Sequence, residues 1–229
     1  MASRRSSVVF VTAHPDDLAH AMGGTAVLLS RRYQVHVLCL TKGERGIKGK
    51  SMAQAAAIRS REERAAAAVI GGRVTFLGQI DGEVYAERAV CVKVARILKR
   101  LRPKALFTLW PLNVPDHFMC YTIAIKALHL AGLFYTTEVY MGENGIGGQT
   151  NQFDPDLYVD ITRVLDTKRR MVRCHRSQNP TEGKAEGVLE RNRLRGMMAR
   201  CDYAEPFRSV MPLANKRWGR KAGSLLLGL

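Results

Sequence analysis

The chain has 229 residues, is 46% hydrophobic and 24% charged, and carries a formal charge of +16. That length and balance suit one globular domain with a sizeable core and exclude a disordered chain. No run approaches the roughly 18 apolar residues of a membrane span, and Arg4-Arg5 before a short apolar run is not a signal peptide.

The first apolar run, Val8 to Val11, reads as a buried strand that stops at Ala13-His14-Pro15-Asp16-Asp17. One His and two Asp at the carboxyl end of a strand can hold a metal or move protons; Asp16 or Asp17 can also be a simple helix cap. A helix follows, about Ala19 to Arg32, then a near-continuous apolar strand, Gln34 to Thr41, in which His36 reads as a core or strand-face residue. The loop Lys42 to Lys50 has Gly43, Gly46 and Gly49 at a spacing of three, suited to an anion-binding nest or a flexible rim. Ser51 to Ile70 is Ala-rich and free of Gly and Pro, a helix stopped by Gly71-Gly72. Val74 to Gly78 reads as a strand, Asp81-Gly82 as a turn, and Tyr85 to Leu101 as an amphipathic helix ending before Pro103. A fourth strand, Ala105 to Trp110, leads to a second polar cluster, Asn113-Val114-Pro115-Asp116-His117.

The helix Phe118 to Leu130, with a structural His129, precedes a fifth strand, Thr137 to Met141. Gly142 to Pro155 is a polar loop whose Glu143, Gln149 and Asn151 suit hydroxyl-rich ligands. The strand Tyr158 to Thr162, with Thr162 as a cap, leads into a helix ending at Cys174, with His175 at its end. A basic helix, Ala185 to Ala199, precedes Tyr203 to Val210, and a basic extension is expected from about residue 208. The apolar end, Ser224 to Leu229, is expected to pack on a neighbour in a homo-oligomer or to be disordered. The alternation predicts an α/β fold, a doubly wound, mainly parallel sheet flanked by helices. Cys39, Cys91, Cys120, Cys174 and Cys201 form no C-x-x-C pair, which suits reduced thiols in a cytoplasmic protein. Ile161 to Leu229 holds 16 Lys and Arg against 6 Asp and Glu. No nucleic-acid-binding motif accompanies that charge, so a solvated basic face, an anionic substrate or loose polyanion binding is expected and a specific nucleic acid is not.

Several of these stretches also carry a resemblance. Ala13-His14-Pro15-Asp16-Asp17 with Gly23-Gly24-Thr25, Arg59-x-x-Glu62, Asp81-Gly82, Pro115-Asp116-His117, His175-x-Ser177-Gln178 and Tyr203-Ala204-Glu205-x-Phe207 occur in the order that resembles the LmbE / PIG-L family of zinc-dependent de-N-acetylases. The resemblance runs from about Val8 to Phe207 and implies a Rossmann-like domain that removes an N-acetyl group from an N-acetylglucosamine-type sugar or glycoconjugate.

His14, Asp17 and His117 supply the N, O and N donors of a catalytic zinc site, three protein ligands with room for water; Fe²⁺ and Mn²⁺ accept the same set. Asp16, next to a ligand, matches the family's general base. The resemblance implies that Arg59 points into the site and holds the catalytic Asp, while Asp116 and His175 are candidates for orientation or transition-state support. Two positions depart from the family pattern. Leu18 and Ala19 follow the Asp pair where many members have an acidic residue, and Val114 stands where many have a His that stabilises the oxyanion. His175 is the substitute donor expected for it. The alternative expectation is a catalytically weakened member that binds a glycan or polyanion.

Overall fold

The computed structural model describes residues 5–111, 114–145, 152–211, 216–217, 220–221 and 224–229. β1 (Ser7–Thr12) is buried along its whole length, as an apolar run must be when both faces of its sheet are covered. It pairs in parallel with β2 (Gln34–Cys39) on one side and β4 (Ala105–Leu109) on the other. β3 (Arg73–Phe76) extends the sheet beyond β2, and β5 (Glu138–Gly142) beyond β4, both in parallel. β7 (Ala204–Ser209) then inserts antiparallel between β5 and β6 (Leu157–Asp160). The seven-stranded order is β3-β2-β1-β4-β5-β7-β6.

The chain therefore builds outward from β1 in one direction and restarts on its other side at β4. That reversal is a topological switch point, and ligands of such sheets bind in the crevice at the carboxyl ends of the two flanking strands. Across the sheet, Phe10 stacks on Phe107 at 4.6 Å between ring centroids, Phe107 stacks on Tyr140 at 5.3 Å, and Phe207 meets Phe107 edge-on at 5.8 Å. This aromatic column fixes the relative height of β1, β4, β5 and β7.

The flanking helices are α1 (Asp17–Ser30), α2 (Met52–Ala68), α3 (Arg88–Leu101), α4 (Pro115–Ala131), α5 (Leu165–Cys174) and α6 (Glu182–Ala199). α2 starts on a capping box between Ser51 and Gln54. α3 buries Val90, Cys91, Val94, Ala95 and Leu98, one stripe at helical spacing.

Several boundaries differ from the sequence reading. α4 begins at Pro115 rather than Phe118, because proline is accommodated in a first turn, where its missing N–H has no partner to lose. Asp116 and His117 are thus part of the helix rather than a loop before it. Thr162 caps no helix with its side chain; it opens a 3-10 turn, Thr162–Val164, and its amide donates to Asp160. His129 stacks on Phe134 at 4.1 Å. The apolar end packs on its own chain: the Ser224 hydroxyl meets that of Tyr140 at 2.7 Å, the Leu225 amide donates to Glu138, and Leu226 is buried.

Candidate active site

The site begins where β1 gives way to α1. Asp17, in the first turn of α1, takes the Ala13 and His14 amides on Oδ2 at 3.0 and 2.8 Å, and the Asn144 side-chain amide on Oδ1 at 2.6 Å. The preceding residue, Asp16, has φ 119° and ψ −27°. A side chain in that region costs about 1–3 kcal/mol and persists only where its surroundings over-determine it.

α4, after β4, supplies the facing wall. His117 Nε2 lies 3.4 Å from Asp17 Oδ1. His14 Nε2 lies 3.0 Å from Asp116 Oδ2 and 3.3 Å from Asp81 Oδ1. Asp116 is itself held by the Gly82 and Val84 amides, at 2.8 and 3.4 Å. The turn after β3 and the first turn of α4 are thus joined through one carboxylate.

Helix α2 forms the third side. Arg59 is buried and donates to the Pro15 carbonyl at 2.7 Å; its other contacts are Asp16 at 3.4 Å and Asp81 at 3.6 Å. The glycine loop before α2 is the slot for this guanidinium. A Cβ at Gly43 or Gly46 would stand 2.4 or 2.0 Å from Arg59 Nη1. Two of the three spaced glycines therefore serve close packing: where the sequence suited an anion nest or a flexible rim, the loop holds the protein's own cation. Glu63 Oε2 accepts the Asp16 amide at 3.0 Å. Glu62, its neighbour, accepts both the Ser177 amide and hydroxyl, at 2.9 and 2.6 Å.

Electrostatics separates the two adjacent aspartates. Burial, then the charge of Asp17, pushes Asp16 up to about 7. Burial resists ionisation of Asp17 too, but His117 and His14 hold it well below the usual carboxylate range. Burial also opposes a charge on His14, yet hydrogen bonds to Asp116 and Asp81 and the charge of Asp17 lift it to about 10.

Among the described residues, two groups have the donors to hold a cation: His14, Asp17 and His117, and His14, Asp81 and Asp116, each with its ligand atoms within 4.8 Å of one another. The hydrogen bonds favour the first. A ligating imidazole usually gives its other ring nitrogen to a carboxylate; His14 has Nε2 on Asp116, while its Nδ1 faces Asp17 Oδ2 at 3.8 Å. Asp116 is occupied by two amides and a ring nitrogen and so acts as that orienting carboxylate. His117 Nδ1 is buried with no partner among the described residues, and its Nε2 and a carboxylate oxygen face one another. With His14 Nδ1 facing the other oxygen of Asp17, this N, O, N donor set fits a zinc-type ion.

Of the residues expected from sequence, His14, Asp16, Asp17, Arg59, Asp116 and His117 converge. His175 is not one of the gathered donors. Its side chain has no exposed surface, both ring nitrogens lack hydrogen-bond partners among the described residues, and Nε2 lies 3.6 Å from Glu63 Oε2. His175 thus stands beside Glu63, whose Oε2 also accepts the Asp16 amide. Glu143, expected to meet a hydroxyl-rich ligand, is wholly buried and spends both oxygens on Arg195, at 3.1 and 2.8 Å, because a carboxylate out of water needs a cation. Gln149, Asn113 and Asn151 lie outside the described residues. Sequence reasoning missed Glu63 and Asn144 as site residues and had Asp81 only as a turn. Glu63 sits beside Glu62 in a charged helix with no sequence signal to separate their roles. Arg59 and Glu63, however, are one helical turn apart.

Fold and site together define a doubly wound α/β protein with a candidate His–Asp–His cation site at the sheet's switch point. Residues 9–128 match the family described as PIG-L: GlcNAc-PI de-N-acetylase, and the chain belongs to that family. It is 30% identical over 189 residues to a diacetylchitobiose deacetylase of Thermococcus kodakarensis, spanning 76% of this chain and 71% of that protein. It is 26% identical over 239 residues to a 4-oxalmesaconate hydratase of Pseudomonas putida, spanning 93% and 92%. The crystal structure of N,N'-diacetylchitobiose deacetylase from Pyrococcus horikoshii, complexed with its inhibitor MPG, superimposes with a TM-score of 0.79 at 25% identity, covering 91% of this chain and 84% of that one.

Proposed function

We propose that this protein is a zinc-dependent amide hydrolase that removes the acetyl group from an N-acetylglucosamine-type sugar or glycoconjugate. The observation that carries the reading is the convergence of His14, Asp17 and His117 at the switch point, with Asp16 beside them and outside the donor set. Deacetylase relatives support the sugar class. His14, Asp17 and His117 would hold the zinc ion, which when bound would supply a polarised carbonyl and a water acidified toward about 7; Fe²⁺ or Mn²⁺ would supply the same chemistry. Asp16, with its carboxylate beside Arg59, takes the proton of the attacking water and returns it to the leaving amine. Asp116 fixes the ring of His14 through Nε2. Arg59 keeps the Asp16 carboxylate aimed, and Gln149 is assigned to substrate hydroxyls. Five unpaired cysteines support a reducing, cytoplasmic setting. Among the described residues no helix is long and apolar enough to cross a membrane.

The test is release of acetate from N,N'-diacetylchitobiose and a panel of N-acetylated glycosides by the zinc-loaded protein. Asp16→Asn should keep its zinc and lose turnover by about 10²–10⁴-fold. Asp17→Ala should lose zinc and activity together. Turnover of Asp16→Asn within about threefold of the parent would remove the base assignment.

A second reading, water addition to an unsaturated acid, is favoured by the hydratase relative, which aligns with 93% of the chain. The same donors and base serve both reactions. Val114, which offers no second donor to an oxyanion, also fits it. Acetate release without hydration of an unsaturated polycarboxylate substrate decides for the first reading, and the reverse for the second.

A further inference from the structure

We infer that Glu63 is a positioning residue for Asp16: together with Arg59 it grips the single peptide unit between Pro15 and Asp16. The carbonyl of that unit accepts Arg59 Nη2 at 2.7 Å, and its N–H donates to Glu63 Oε2 at 3.0 Å. Both side chains come from one face of α2, a turn apart, and both are almost wholly buried, at 4% and 1% exposure. The gripped unit leads into the residue with φ 119°. Arg102 and Arg200, the other described non-glycine residues with positive φ, lie near the ordinary left-handed well, at 44° and 59°. Of these three, Asp16 alone departs far from it, and its peptide has a buried side chain on each pole.

The two layers behind continue the same logic. His175 Nε2 stands 3.6 Å from Glu63 Oε2 and closes off that carboxylate from behind. Glu62 fixes the loop carrying His175 through the Ser177 amide and hydroxyl. Consecutive glutamates of α2 thus hold the strained turn and the loop that backs it. Glu63 touches neither substrate nor the metal-ligand atoms in this scheme; it acts through Asp16. The inference rests on Asp16 being the base of the proposed reaction.

The experiment compares Glu63→Leu and Glu63→Gln with the parent for zinc content, amide exchange at Asp16, kcat and KM. Leucine removes the acceptor; the glutamine side-chain oxygen retains it. Glu63→Leu should bind stoichiometric zinc, keep KM within about twofold, and lose kcat on the order of 10²-fold, the scale of a misplaced reacting group. Glu63→Gln should recover most of that loss. In an Asp16→Asn background, Glu63→Leu should cost nothing further, which a general loss of packing would not reproduce. Hydrogen exchange at the Asp16 amide should be slow in the parent and in Glu63→Gln and fast in Glu63→Leu. This readout needs no substrate, so it still decides the clamp if no acetylated sugar is turned over. Unchanged exchange in Glu63→Leu, a Glu63→Gln variant as impaired as Glu63→Leu, or equal losses with and without Asp16 would overturn the inference.

Discussion

Single side chains in this site are selected by what surrounds them more than by what they are. Asp16 and Asp17 are adjacent carboxylates, yet one is lifted by burial and its neighbour while the other is held down by two imidazoles. The same dependence gives Gly46 a definite role. Its φ is unremarkable, so alanine there meets no backbone penalty, but the new Cβ would lie 2.0 Å from Arg59 Nη1. The guanidinium is pinned by Pro15, Asp16 and Asp81 and has no free direction to retreat. Gly46→Ala is therefore expected to fold, bind zinc as the parent does, and lose about tenfold or more in kcat through a displaced Arg59. A kcat equal to that of the parent would show that Arg59 is not needed where it stands.

At the scale of elements, the motif Tyr203 to Phe207 has its explanation in α1 rather than in the site. Glu205 is wholly buried on β7; it accepts the Gly24 and Thr25 amides at 2.8 and 2.7 Å and pairs with Lys168 of α5 at 2.6 Å. Lys168 and Arg191 of α6 in turn donate to the His20 carbonyl, at 3.2 and 2.6 Å. One carboxylate and two cations thus fasten α1 to β7, α5 and α6, and α1 carries Asp17. Removing one partner of a buried pair leaves an uncompensated charge, at a cost of about 3–5 kcal/mol. Glu205→Leu is expected to lose that much stability in urea denaturation, and adding Lys168→Met should restore part of it. A single-variant loss below about 1 kcal/mol would mean that Lys168 finds water or discharges.

The molecule as a whole joins groups whose titration pulls in opposite directions. Burial holds His20 and His175 near 3, with Arg191 and His20 respectively adding to the effect. An unfolded histidine titrates near 6.5. Between those values the unfolded chain binds protons that the fold refuses, so each histidine's contribution is complete above about 6.5 and is lost as pH falls. Glu63, pushed up to about 8 by burial, has the opposite sign: its contribution is lost as pH rises through that value. A difference between two proteins isolates one group. The stability cost of His175→Gln, measured in urea, should be largest above pH 6.5 and shrink toward pH 5, by at most about 1.4 kcal/mol per pH unit, the limit for one proton. A cost independent of pH would mean that folding leaves the titration of His175 unshifted.

Sequence by itself determined the class of fold and most of the donors. The ordered motifs, through the resemblance they carry, pointed to His14, Asp16, Asp17 and His117; the run Val8 to Val11 reads as a covered strand, and Pro115 as the edge of an element, from local pattern alone. Local rules suffice there because hydrophobic period and proline act over a few residues. Tertiary structure alone decided the rest. It divided labour between Glu62 and Glu63, identical neighbours on one helix, by facing one toward Ser177 and the other toward the Asp16 amide. It turned Gly43 and Gly46 into a slot for Arg59, moved Glu143 from a ligand loop into a buried ion pair, and set His175 beside Glu63. Each of these depends on which buried partner stands within about 3 Å. That is fixed by packing between segments up to about a hundred residues apart, a separation across which no sequence period reaches.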